Sequence, residues 1–295
     1  MCEKYITSVF NEMEGENKMT ERTGRNCIMG NHVEIGENVT LGHNCIIEDE
    51  VALADNVVID HNVIIRKGTM IGKNSFIGAN SIIGEKQITA FDGKRKESPK
   101  LTIGENALIR SGSIVYESSK IGDNFQTGHQ VTIREETQIG NHVSIGTLSD
   151  IQGHCMIGNY VNLHSNVHIG QKSQIDDYVW IFPYVVLTND PTPPSEYLQG
   201  VHICSFAVIA TSSVILPGIQ VEEDSMVAAG AVVTKDVKKF EVVGGNPAKK
   251  ISDIRTIKNK ITGENAYPWR YHFSRKMPWE DIGYMEWVDS GMSLK

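Results

Sequence analysis

An all-β solenoid, a parallel β-helix, is the fold class this sequence predicts, and three observations predict it. First, an aliphatic residue returns at every sixth place between Met29 and Val233, over 31 positions of which only Thr127 is not aliphatic. Second, a small or β-branched residue sits two places before the anchor, as at Val33, Val39, Cys45, Val51, Val57, Val63, Ser75, Ser81, Ala107 and Ser113. Third, glycine often follows the anchor, as at Gly36, Gly42, Gly72, Gly122, Gly146 and Gly170. A period of six is neither a helix period nor a plain strand alternation. It fits a short strand with two inward residues, then a turn with unusual backbone angles, where glycine costs least. Three such units close one coil, and stacked coils pair strand on strand.

Residues 1–26 carry no such pattern; they are polar and charged and read as an N-terminal arm or cap. The solenoid then runs over 27–250, as about ten coils. Residues 27–83 supply about three of them, and the ladder then breaks over 84–102, where Ile83 and Ile103 stand far more than one hexad apart. It breaks again over 188–202, between Leu187 and Ile203. Counted in threes from Ile35 as faces A, B and C, both insertions leave face C and re-enter on face A, so they project from one corner. Five coils separate them, or about 24 Å at the usual strand spacing. Loops at a fixed corner of a solenoid are where binding functions gather. Residues 251–295 are different: they hold Trp269, Trp279 and Trp287 with Tyr267, Tyr271 and Tyr284. They read as a capping extension, because a solenoid end exposes strand edges and an apolar core.

A net charge of −8 argues against nucleic acid as the partner of the whole chain. No apolar run is long enough to span a membrane, and MCEKYITSVF lacks a signal-peptide layout, so no membrane partner and a cytoplasmic location are expected. Of the five cysteines, Cys27, Cys45 and Cys155 fall on the inward row, where buried thiols act as small hydrophobes. With no CxxC pair, a zinc–thiolate site is not expected and no metal is required.

Position in the repeat also predicts direction, because the residue before each anchor points outward. On face C that outward row reads Thr132, Asp150, His168, Val186 in successive coils, which makes Asp150 and His168 neighbours at about 4.8 Å between backbones. The adjoining turns carry His129, His164 and Asn166. Imidazole takes up a proton near neutrality and a carboxylate orients it, so His164, His168, Asp150, Asn166 and His129 are the candidate catalytic residues. Each has a plainer reading as a solvated turn residue or a stacking pair.

The hexads, with AAGAVVTKDV and VVGGNPAKKI, resemble the hexapeptide-repeat acyltransferases over residues 27–252. The segment from TGHQVTIREE to LHSNVHIG, followed by FPYVVLTNDPTPPS, is most similar to N-acetyltransferases of nucleotide-linked (dTDP) amino sugars. The resemblance implies a left-handed helix, a homotrimer with sites between subunits, and acetyl-CoA or another acyl-CoA as cosubstrate lying along the coils. It places Ala210 and Ala228, one coil apart and just after their anchors, beside the pantetheine, and Lys235 and Lys249 near the CoA phosphates. Lys94, Arg95 and Lys96 of the first insertion and Asn189 and Asp190 of the second become candidates for the nucleotide-linked amino sugar. The long ends, 1–26 and 253–295, exceed what the fold needs. Competing readings are transfer to another acceptor (serine, an antibiotic or a small amine), a zinc-dependent carbonic-anhydrase-like helix needing three imidazoles around one metal, and a structural or ice-binding solenoid. The outward rows are too mixed for the regular threonine ladders of that last class. A homotrimer is also expected because Trp180, Phe182 and Tyr184 face outward and need cover.

Overall fold

The computed structural model describes residues 23–87 and 99–291. The chain winds as a left-handed parallel β-helix of three sheets, with ten strands on face A, twelve on face B and eleven on face C among the described residues. Nearly every strand is just the anchor and the residue before it. Each pairs with the strand one full coil away, as in Ile47↔Ile65 and Ile145↔Leu163. The stack continues across both insertions: Ile83 pairs with Val115 on face C, and Ile103 with Ile71 on face A. Leu187 likewise leaves face C and Ile203 enters face A against Ile175.

The two inward residues of each unit form one continuous core, with Ile47, Val51, Ile77, Ile133 and Ile181 fully buried. At several places where the inward row two residues before the anchor holds serine, the hydroxyl serves the backbone. Ser113 Oγ donates to the Arg110 carbonyl at 2.7 Å and Ser149 Oγ to the His164 carbonyl at 3.0 Å. Such turn carbonyls face inward and would otherwise be orphaned. Thr127, the exception on the ladder, is buried and its Oγ1 accepts the Arg110 N–H at 2.9 Å. Cys45 and Cys155 are fully buried and Cys27 partly so, and burial pushes the Cys155 thiol up to about 11.

The last residue of each turn is left-handed, for example Asn38 (φ 57), Asn56 (φ 59) and Asn124 (φ 57) at the corner between faces A and B. Asparagine tolerates this region better than other L-residues. Its amide then bonds the next coil, as from Asn56 Nδ2 to Asn74 Oδ1 at 3.0 Å. Further along the same corner the column changes to His142, Tyr160, Tyr178 and Phe206, still at positive φ and now stacked with ring centroids 4.5–5.5 Å apart.

That aromatic column is where the C-terminal segment docks. After a last antiparallel pair, Glu241–Gly244 with Lys249–Asp253, the chain turns back along the flank of the solenoid. It ends in a short helix, α1 (Tyr284–Asp289). Trp279 is fully buried against Tyr178 and Phe206, and Trp269 Nε1 donates to the Phe206 carbonyl at 3.0 Å. Arg270 lies 4.3 Å above the Phe206 ring and pairs with the buried Asp224. This corrects one part of the trimer argument. Trp180 is covered by its own chain, through Trp269 and Phe273 at 6.1 and 5.5 Å, and Phe182 packs against the same cluster. Of the three only Tyr184 stays exposed, and a tail without periodicity gives no sign in the sequence of which flank it will cover. No helix among the described residues is long and apolar enough to cross a membrane.

Candidate active site

Strand pairing on face C sets Thr132 opposite Asp150, Asp150 opposite His168, and His168 opposite Val186. The two side chains meet: His168 Nδ1 is 3.2 Å from Asp150 Oδ2, each side chain more than a third exposed. With Nδ1–H donated to the carboxylate, the tautomer places the lone pair on Nε2, which has no partner among the described residues. Gln152 Nε2 donates to the same carboxylate oxygen. Arg134 Nη1 donates to Gln152 Oε1 at 3.4 Å and makes two bonds, 3.1 and 2.8 Å, to the buried Glu135. Face C thus carries a linked row, Glu135–Arg134–Gln152–Asp150–His168. Burial raises the Asp150 carboxyl, but hydrogen bonds from His168 and Gln152 outweigh it and hold the group below the ordinary carboxylate range. The orienting carboxylate therefore stays charged wherever an imidazole is neutral enough to act as a base.

His164 and Asn166 stand at the corner between faces B and C, on the turn leading into the His168 strand. The His164 ring stacks on Phe182 of the next coil, centroids 4.9 Å apart and planes 15° apart. Above it Gly146 runs so close that a Cβ there would meet the Ser165 nitrogen at 2.4 Å, so that position stays bare. Asn166 holds the left-handed place, φ 58, and its N–H bonds the Thr147 carbonyl. His129 is exposed two coils away; its backbone N–H meets Thr147 Oγ1 at 3.2 Å. It shares its place in the turn with His43 and His61, which cap backbone N–H groups through Nδ1. Among the described residues no bond or ring contact joins His129, His164 or Asn166 to the Asp150–His168 pair. Nor do His129, His164 and His168 gather around one point within the chain.

Ala210 and Ala228 occupy the same row as His164 and Phe182, and the row continues to Gly244, where a Cβ would lie 3.3 Å from that of Ala228. Lys249 pairs with Gly244 at the end of this shelf and is exposed, as is Lys235. Asn189 and Asp190 lie in the second insertion. The Asp190 carboxylate is spent on its own loop, accepting from the Ser195 hydroxyl at 2.7 Å and from the Ser195 and Thr192 N–H groups. Lys94, Arg95 and Lys96 fall outside the described residues. Arg134 and Gln152 escaped the reading of the sequence. The register contained them, since both stand one place after a face C anchor in successive coils.

A family model described as bacterial transferase hexapeptide (six repeats) matches residues 51–85 and 136–171. A second, the hexapeptide repeat of succinyl-transferase, matches 32–67 and 210–235. The chain thus carries the hexapeptide repeat of the bacterial transferases. It is 34% identical to "Protein CapG" of Staphylococcus aureus over 34% of its own length and 55% of that protein's. It is 36% identical to a 2,3,4,5-tetrahydropyridine-2,6-dicarboxylate N-acetyltransferase of Staphylococcus aureus (strain JH9), over 33% of this chain and 36% of that one. The chain therefore spans about half the length, or less, of these relatives. Among solved structures, LpxA from Acinetobacter baumannii aligns with 79% of this chain and 74% of its own, at 18% identity and a TM-score of 0.48.

Proposed function

We propose that this protein is an acyl-CoA-dependent N-acyltransferase. In its simplest form it transfers acetyl from acetyl-CoA to the amino group of a nucleotide-linked (dTDP) amino-deoxy sugar. The observation that carries the reading is the Asp150–His168 pair, an imidazole with one nitrogen held by a carboxylate and the other directed outward. The hexapeptide repeats and the N-acetyltransferase relative support it. The neutral amine attacks the thioester carbonyl, forming the new C–N bond, and His168 Nε2 takes the proton that the nitrogen sheds. The tetrahedral oxyanion collapses, the C–S bond breaks, and the CoA thiolate leaves and is protonated through the imidazolium. A thioester is activated enough that positioning supplies much of the acceleration. The shelf of Ala210, Ala228 and Gly244 suits a pantetheine arm, with Lys249 and Lys235 toward the CoA phosphates. In a second version of the same chemistry His164 and Asn166 hold the amine and the departing thiolate takes the proton. It rests on the stacking of His164, which fixes that ring without a carboxylate partner.

The direct test is to incubate the purified chain with acetyl-CoA and a panel of amine and hydroxyl acceptors, following free thiol. Release is expected with nucleotide-linked amino sugars and not with serine, chloramphenicol or simple amines. The reverse preference would replace the acceptor, and no release with any of them would remove the enzyme reading. The proposal includes a cytoplasmic homotrimer with sites shared between subunits. Sedimentation is expected to give three times the chain mass, and a monomer at micromolar concentration would remove the shared site.

A further inference from the structure

On face A, the places before and after an anchor point outward on the same side, two residues apart. His202 and Cys204 flank Ile203 in this way. Asp176 occupies the equivalent place one coil back, because Ile175 pairs with Ile203. Asp176 Oδ2 is 2.9 Å from His202 Nε2, and Cys204 Sγ is 3.9 Å from that same nitrogen. One atom from each of the three residues lies within 4.8 Å of the others, and all three side chains are half-buried.

A single site on His202 Nε2, proton or lone pair, cannot bond both of its neighbours. If Nε2 carries its proton, the ring donates to Asp176 and the thiol is left with the Gln220 amide alone, at 3.4 Å. If Nε2 is bare, it accepts from the thiol but faces a carboxylate oxygen, lone pair to lone pair, at 2.9 Å. A dication at the centre serves all three at once. We propose that Asp176, His202 and Cys204 form a three-ligand site for a divalent transition metal, zinc by its mixed sulfur, nitrogen and oxygen donors.

The geometry is close to what zinc needs. Tetrahedral coordination at about 2.3 Å to sulfur and about 2.0–2.1 Å to nitrogen and oxygen sets N···O near roughly 3.3 Å and S···N near roughly 3.5 Å. From 2.9 and 3.9 Å, these two separations change by roughly 0.4 Å, within the reach of side-chain torsions, and the sulfur and carboxylate oxygen, within 4.8 Å of each other, close onto the same ion. Outer partners are in place. Gln174 Nε2 donates to Asp176 Oδ1 at 2.8 Å, and Gln220 Nε2 to Cys204 Sγ at 3.4 Å. Asp176 also lines an open groove with Gln138, Gly140, Gly158 and Gln174. The absence of a CxxC pair does not exclude a thiolate site here, because the stack supplies ligands from two coils. The site lies on a different face from Asp150 and His168, so it stands or falls apart from the transferase reading.

Cobalt(II) is the probe, since it substitutes for zinc and reports both thiolate ligation and geometry. The metal-free full chain titrated with cobalt is expected to bind one ion per chain. It should develop a sulfur-to-cobalt charge-transfer band and intense tetrahedral d–d bands, both removed by stoichiometric zinc. Cys204→Ser should abolish the charge-transfer band. His202→Ala and Asp176→Asn should weaken binding by more than the roughly 10- to 100-fold that an outer partner costs. Circular dichroism of each variant checks that the helix is intact. Binding without a thiolate band, or equal affinity in the wild type and a Cys204→Ser/His202→Ala variant, would overturn the site.

Discussion

His168→Ala is expected to lower the turnover number about a hundredfold or more in the thiol-release assay, with a much smaller change in the Michaelis constant for the sugar. The size follows from the role: a positioned general base contributes typically about 10²- to 10⁴-fold. Asp150→Asn should cost less than the alanine variant, because the imidazole remains and loses only its orienting partner. The pH profile separates the roles. The Asp150 carboxyl lies below its ordinary range, so it is ionised throughout pH 6–9 and does not shape the wild-type curve there. The paired carboxylate also contributes stability that is present in full above the unfolded carboxylate value of about 3.9 and lost as pH falls through the folded one. Asp150→Asn should therefore melt with less acid sensitivity below about pH 4. Losses within a few-fold for His168→Ala, with an unchanged profile, would leave positioning and the departing thiolate as the route for the proton. His164→Ala distinguishes the second version, since it then carries the larger loss.

Trp279→Ala is expected to release the C-terminal segment while the helix stays folded. Truncating a fully buried tryptophan costs about 3–5 kcal/mol, and Trp279 touches Tyr178, Phe206, Trp269, Tyr284 and Trp287. Residues 254–291 hold two single-turn helices and α1, with one isolated bridge, Lys258↔Asn265, so the aromatic cluster, with the Trp269–Phe206 bond and the Arg270–Asp224 pair, is what ties them to the coils. The coils, by contrast, draw stability from neighbours on both sides, and a repeat stack tolerates the loss of a lateral contact. Limited proteolysis should cut the variant between about residues 255 and 270. Far-UV circular dichroism should be retained, and binding of a hydrophobic dye should rise as Trp180 and Phe206 are uncovered. A single cooperative transition of the whole chain at a lower Tm, with the tail still protected, would show instead that the segment and the helix fold as one unit.

Thr127 shows how the period is read through an exception: the threonine is still inward and still buried, with its hydroxyl spent on one backbone bond. The Asp150–His168 contact was legible for the same reason, since outward residues at matching places in successive coils are neighbours whenever three hexads close a coil. Asp176 and Cys204 stand at matching places of the same kind, each just after its anchor, but the second insertion lengthens the chain between them, so no fixed spacing betrays them. Arg134 and Gln152 were placed by the register, yet their link depends on how two long side chains bend toward each other.

Sequence alone determined the fold class, the inward rows, the corner from which both insertions leave, and the meeting of Asp150 with His168. All four are consequences of a repeat whose strands pair at one fixed offset. Only the tertiary structure decided that the aromatic tail lies along the flank, and that Trp180 is covered by its own chain. It also decided that Asp176 and Cys204 converge on His202. These depend on where a segment without periodicity finds an apolar surface, and on side-chain reach across coils, neither of which a period encodes.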